Sequence, residues 1–173
     1  QQDGELSIGM GASLYSIGRH GEARDWLSAA RHQSPNDMDA RYFLGLTAFA
    51  LGDAARAKTE IDASLAVNPE DARYLVASGR LLESEKRLKQ AAKQFAIAAT
   101  HDPDYAPAHE GAARVYLALG MPSEAEMHFS RLAEIGEDVD VLLGLAKARE
   151  DRGAPEEAVI PLGKAVALRP DDI

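Results

Sequence analysis

The chain has 173 residues, is 46% hydrophobic and 27% charged, contains no cysteine and carries a net charge of −9. That apolar share is enough for the core of a folded chain of ordinary domain size, while the missing cysteines exclude disulfides, thiolate chemistry and sulfur-ligated metals and leave cytosol and periplasm equally open. The acidic balance argues against nucleic acid as a partner; no apolar run reaches the roughly 18 residues of a membrane-spanning helix, and residues 1–20 lack the basic start and apolar centre of a signal peptide.

Laid out at 34 residues, the chain falls into five frames, 4–37, 38–71, 72–105, 106–138 and 139–172, the fourth being one residue short. In the first frame, apolar residues at helical spacing form two segments that part at Gly18, and in the second frame they part at Gly52. The third has Lys86 where the turn glycine belongs, which puts the tightness of that turn in question. The fourth and fifth part at Gly120 and Gly153, each followed two residues later by proline, Pro122 and Pro155, as suits the opening of the next helix. Each frame therefore predicts helix, turn, helix, and the chain predicts about ten helices.

Certain positions keep their size in every frame. Position 20 is alanine throughout (Ala23, Ala57, Ala91, Ala125, Ala158), and position 8 is small (Gly11, Gly45, Gly79, Ala113, Ala146). Position 24 is large and apolar: Leu27, Ile61, Phe95, Phe129 and Leu162. Small residues let paired helices approach closely, and the large one fills the space beside them. Proline at position 32 (Pro35, Pro69, Pro103, Pro170) stops the second helix, with Gly136 supplying that end in the fourth frame.

This pattern resembles the tetratricopeptide repeat, and the resemblance spans residues 4–172. It departs from the family at the signature tryptophan of position 4, which is Ser7, Arg41, Leu75, His109 and Leu142. The resemblance implies an all-α fold, an α-solenoid of antiparallel helix pairs in a right-handed superhelix, with residues 1–173 as a single array and a groove lined by the first helix of each repeat. Frame positions 2, 5, 6, 9, 12 and 13 then place Ile8, Ala12, Tyr15, Tyr42, Phe43, Leu46 and Phe49 in the groove from the first two frames. Arg73, Arg80, Arg114 and Lys147 come from the later three, among Glu83, Glu110, Glu150 and Asp151.

Two readings stand side by side. In one, the cations at position 9 (Arg80, Arg114, Lys147) and the aromatic floor bind a protein or peptide with acidic and apolar groups. In the other, the arginines pair with neighbouring glutamates and the aromatics pack together. The family's carboxylate clamp for heat-shock chaperone tails, a lysine with asparagines, is absent, since its positions hold Ile8, Ala12, Tyr42 and Leu46.

Catalytic and metal chemistry find no pattern. His20, His32, His101, His109 and His128 form no pair at i, i+4 spacing and read as surface or interhelix residues. The "GMG" of 9–11 lacks a preceding strand and a third glycine, and the acidic pairs Glu156–Glu157 and Asp171–Asp172 suit helix starts or the chain end.

The sequence thus predicts a non-catalytic scaffold without cofactor or metal, serving the assembly of a larger complex as many bacterial members of the family do, in the periplasm, the envelope or the cytoplasm. The alternative is a module that self-associates through its repeat ends. Gln1 in place of methionine and the last frame's close at "RPDDI" lead to the expectation of a processed product, a piece of a longer repeat protein, or an end that packs on another subunit.

Overall fold

The computed structural model describes residues 2–169. Among these residues ten helices and no strand occur: α1 (Gln2–Ser16), α2 (His20–Gln33), α3 (Met38–Ala50), α4 (Ala54–Val67), α5 (Ala72–Ser84), α6 (Leu88–His101), α7 (Ala106–Ala118), α8 (Pro122–Ile135), α9 (Val139–Asp151) and α10 (Pro155–Leu168). Ten helices fit the five predicted frames, a pair to each. Pro170, Asp171 and Asp172, named above as a helix stop and an acidic pair, lie outside the described residues. The chain divides into two compact units, residues 1–81 and 82–173.

The turns follow their chemistry. Gly18, Gly52, Gly120 and Gly153 all adopt positive φ, between 69° and 88°. The third turn is made without glycine: Lys86 itself takes the left-handed conformation, φ 61°. A side chain there costs roughly 1–2 kcal/mol, which the closed turn bears. Pro122 and Pro155 open α8 and α10, and Pro107 stands in the first turn of α7. Aspartates cap other starts: Asp37 accepts the Ala40 N–H at 2.9 Å and Asp53 that of Arg56 at 3.0 Å. The helix end at Gly136 is extended, with φ −169°.

In the first unit the small and large positions interlock as predicted. A Cβ on Gly11 would stand 2.4 Å from the Leu27 side chain, and one on Gly45 would stand 3.0 Å from Ile61. One core joins Leu14, Ala23, Leu27 and Leu44. A second joins Tyr42, Leu46 and Ile61 to Tyr74, Ala77 and Leu81.

The second unit solves a larger packing problem that the repeat alignment did not show. Phe95 is fully buried, and its ring occupies the place of a Cβ on Gly111, at 2.4 Å. Phe129 does the same against Gly144, at 2.3 Å. Both glycines stand at frame position 6 of the repeat that follows the phenylalanine. Where position 24 grows to phenylalanine, the next repeat thus gives up its side chain to admit the ring.

Candidate functional site

The predicted aromatic floor lies in the first unit and belongs largely to its core. Tyr42 is 8% exposed, Leu46 is buried beside it, and Tyr15, Phe43 and Phe49 pack half-buried against the same cluster. Ile8 and Ala12 are half-buried on α1. Tyr42 meets Phe43 edge-on at 5.2 Å and Tyr74 at 5.3 Å. The Arg73 guanidinium lies over both tyrosines, 5.5 and 5.3 Å from the ring centres. It also pairs with Asp71 at 2.9 Å and Asp39 at 3.1 Å. The Asp71 hydrogen bond raises Arg73 above its ordinary value. Burial pulls the Asp71 carboxyl upward, but its hydrogen bonds and the Arg73 charge outweigh this and leave it below its ordinary value. Arg73 is thus a cation–π lid on the tyrosines.

Three of the four predicted groove cations have carboxylate partners. Besides Arg73, Arg114 grips Glu83 bidentately at 2.9 and 2.7 Å. Lys147 reaches Asp151, one turn away, at 3.1 Å. Exposed pairs of this kind hold about 0–1 kcal/mol, so a competing carboxylate can open them. Arg80 differs. It is exposed and makes no ion pair among the described residues, and it stands seven positions after Arg73, on the same face of α5.

A polar cluster that the repeat pattern did not single out lies in the second unit. His109 on α7 and His128 on α8 are buried, with their Nδ1 atoms 3.0 Å apart. His109 Nε2 sits 3.1 Å from the Pro103 carbonyl, which only accepts, so Nε2 carries a proton. In the neutral ring His109 Nδ1 is then the acceptor, and His128 Nδ1 must donate to it. His128 Nε2 is thereby an acceptor, and it is buried without a partner. Tyr116 stacks on the His128 ring at 5.6 Å, planes 10° apart. Burial and the neighbouring His109 push His128 down to about 4; burial, with Arg131 nearby, lowers His109 too.

The departures from the signature tryptophan explain part of this. His109 and Arg41 both stand at position 4, six residues after a position-32 proline. His109 donates to Pro103 and Arg41 donates to the Pro35 carbonyl at 3.3 Å, so each ties its helix to the preceding repeat's end. That spacing from proline is a signal visible in the sequence. The meeting of His109 with His128, 19 residues apart, has no such signal. Among the described residues no cluster of three or more metal-ligating side chains occurs.

Residues 14–81 match the model of the tetratricopeptide repeat family. The ten helices fit five repeats of that kind. Among curated proteins it is 29% identical over 97 residues to the TPR repeat-containing thioredoxin TTL4 of Arabidopsis thaliana, a match that covers 56% of this chain and only 14% of that relative. Among solved structures, TTC0263, a TPR protein of Thermus thermophilus, superposes with a TM-score of 0.75 at 23% identity over 98% of this chain and 93% of its own. Pseudomonas aeruginosa pilF gives 0.82 at 22% identity over 96% and 75%. MamA of Desulfovibrio magneticus RS-1 gives 0.79 at 19% identity over 100% and 99%. At these identities the likeness is one of fold. Tetratricopeptide-repeat proteins are in general non-catalytic scaffolds for protein–protein interaction.

Proposed function

We propose that this tetratricopeptide-repeat array is a non-catalytic scaffold that binds a protein or peptide along the first helices of its repeats. The observation that carries the reading is Arg80: an exposed guanidinium without an ion pair among the described residues, on the same face of α5 as Arg73 and its tyrosines. Such a face suits a segment that offers a carboxylate to Arg80 and apolar groups to the half-buried edges of Phe43 and Phe49. The role we assign is assembly of a larger complex.

The test is cross-linking of wild-type and Arg80→Glu protein in lysate of the source cell, followed by mass spectrometry. The charge reversal should remove the partner while the protein's solution mass stays unchanged. An identical set of cross-linked proteins in both samples would reject the reading.

A second reading, self-association, is favoured by the exposed apolar side chains of α10, where Val159 and Ile160 are 66% and 67% exposed and Val166, two turns beyond Val159 on the same face, is also open. Sedimentation of wild type against Val159→Glu/Ile160→Glu separates the two, because only self-association predicts a mass that falls in the variant.

A further inference from the structure

A groove runs along the second unit, lined by α6 and α8 with Tyr116 of α7 between them. Two recesses, of about 460 and 580 Å³, share Ala96, Thr100 and Tyr116 and so form one continuous channel. Its walls are apolar and adaptable: Met121 and Met127 are exposed, Met127 by 62%, and Ile97 and Leu119 lie along the same channel. The ring of His128, with its unpartnered Nε2, lines one recess.

The two ends differ in charge. At one end Lys89 and Lys93, one turn apart on α6, line the channel, are exposed and make no ion pair among the described residues. At the other end Arg131 is already bound to Asp104 and Glu134. In a chain of net charge −9, two uncompensated lysines at the mouth of an apolar channel form a local complement to acid.

We propose that this channel docks an amphipathic helical segment of a partner protein, its apolar side chains lying over Tyr116 between Met121 and Met127, its acidic end against Lys89 and Lys93. The mode is helix-in-groove recognition, in which apolar anchors at i, i+4 and i+7 supply the contact and the charges set the direction. The site is independent of the Arg80 face.

The experiment uses the full chain with methyl-labelled methionine. The four methionines divide usefully: Met121 and Met127 stand on the channel, whereas Met10 and Met38 lie in the first unit and serve as controls. The probe is a designed helical peptide of about 18 residues with leucines at i, i+4, i+7 and i+11 and three glutamates at one end, beside a twin with lysines in their place. The expected result is saturable shifts of the Met121 and Met127 methyls alone, with the lysine twin and the Lys89→Glu/Lys93→Glu variant each at least about tenfold weaker. Ala96→Trp should block the channel; Met127→Glu, on the surface, gives a second obstruction that leaves the core untouched. Arg80→Glu should bind the peptide as wild type does, which separates this site from the scaffold face. Three outcomes overturn the proposal: Met121 and Met127 unmoved at millimolar peptide, equal binding of both twins, or a wild-type dimer that Met127→Glu dissociates, which would make the occupant a second copy of the chain.

Discussion

Lys86 and His128 show how single residues depart from what their neighbours in the repeat do, and what each departure costs. At φ 61° Lys86 carries a side chain where the other turns have glycine. Lys86→Gly removes strain of roughly 1–2 kcal/mol but adds glycine's chain entropy, roughly 0.5–1 kcal/mol. The net should be a gain of about 0.5–1 kcal/mol, read as a melting temperature a few degrees higher, and Gly52→Ala should move it the other way. His128 makes stability depend on pH. It is faced by His109 and Tyr116, and His109 in turn by Arg131 and Asp104. Its folded value of about 4 lies below the unfolded value near 6.5, so the unfolded chain binds more protons between these limits. The contribution is complete above pH 6.5 and is lost as pH falls toward 4, at most about 3 kcal/mol. Urea titrations across that range should show the fall, and His128→Gln, which can still donate to His109 Nδ1, should flatten it.

At the scale of the element, α10 contains a proline that a helix ordinarily rejects. Pro161, fully buried within Pro155–Leu168, has no N–H, so the Glu157 carbonyl lacks its helical donor. Arg149 of α9 replaces it, its Nη1 donating to that carbonyl at 2.8 Å while its Nε holds Glu126 of α8 at 2.9 Å. One guanidinium thus repairs α10 and ties three helices together. Arg149→Ala should cost about 1–2 kcal/mol, since it leaves the Glu157 carbonyl without a donor, while Glu126 keeps its pair with Arg152 at 2.7 Å. In a Pro161→Ala background, where the helix supplies its own donor, the same substitution should cost distinctly less; a double-mutant cycle of unfolding free energies measures the difference.

At the scale of the molecule, helices pack on near neighbours along the chain within each unit: α1 on α2 and α3, α2 on α3 and α3 on α4 in the first; α6 on α7, α7 on α8, α8 on α9 and α9 on α10 in the second. Stability in such arrays is a sum of local terms. Gly111→Ala tests this. A helix interior favours alanine by about 1 kcal/mol, but the new Cβ would meet the Phe95 ring at 2.4 Å, and overpacking costs about 1–3 kcal/mol. The clash should prevail, and hydrogen exchange should speed in α6 to α8 while the protection of α1 to α3 is kept. Phe95→Leu in the same chain should restore part of the loss. The helix pairs were legible before any coordinates, because glycine, alanine and proline recur for reasons of backbone conformation and close approach. The candidate groove was legible only in part: Arg80 is exposed, yet Tyr42 and Leu46 serve the core, and Arg73, Arg114 and Lys147 have partners within the chain.

Repeat length, helix pairing, turn positions and the small-against-large packing code were determined by the sequence itself, because each depends on residues a few positions or one repeat apart, where spacing translates directly into geometry. Which cations are satisfied, where two histidines meet, how Arg149 mends a proline and where α6 and α8 line a groove were decided by the tertiary structure alone. Those facts depend on side-chain directions and burial across helices, and no periodic signal in the chain encodes them.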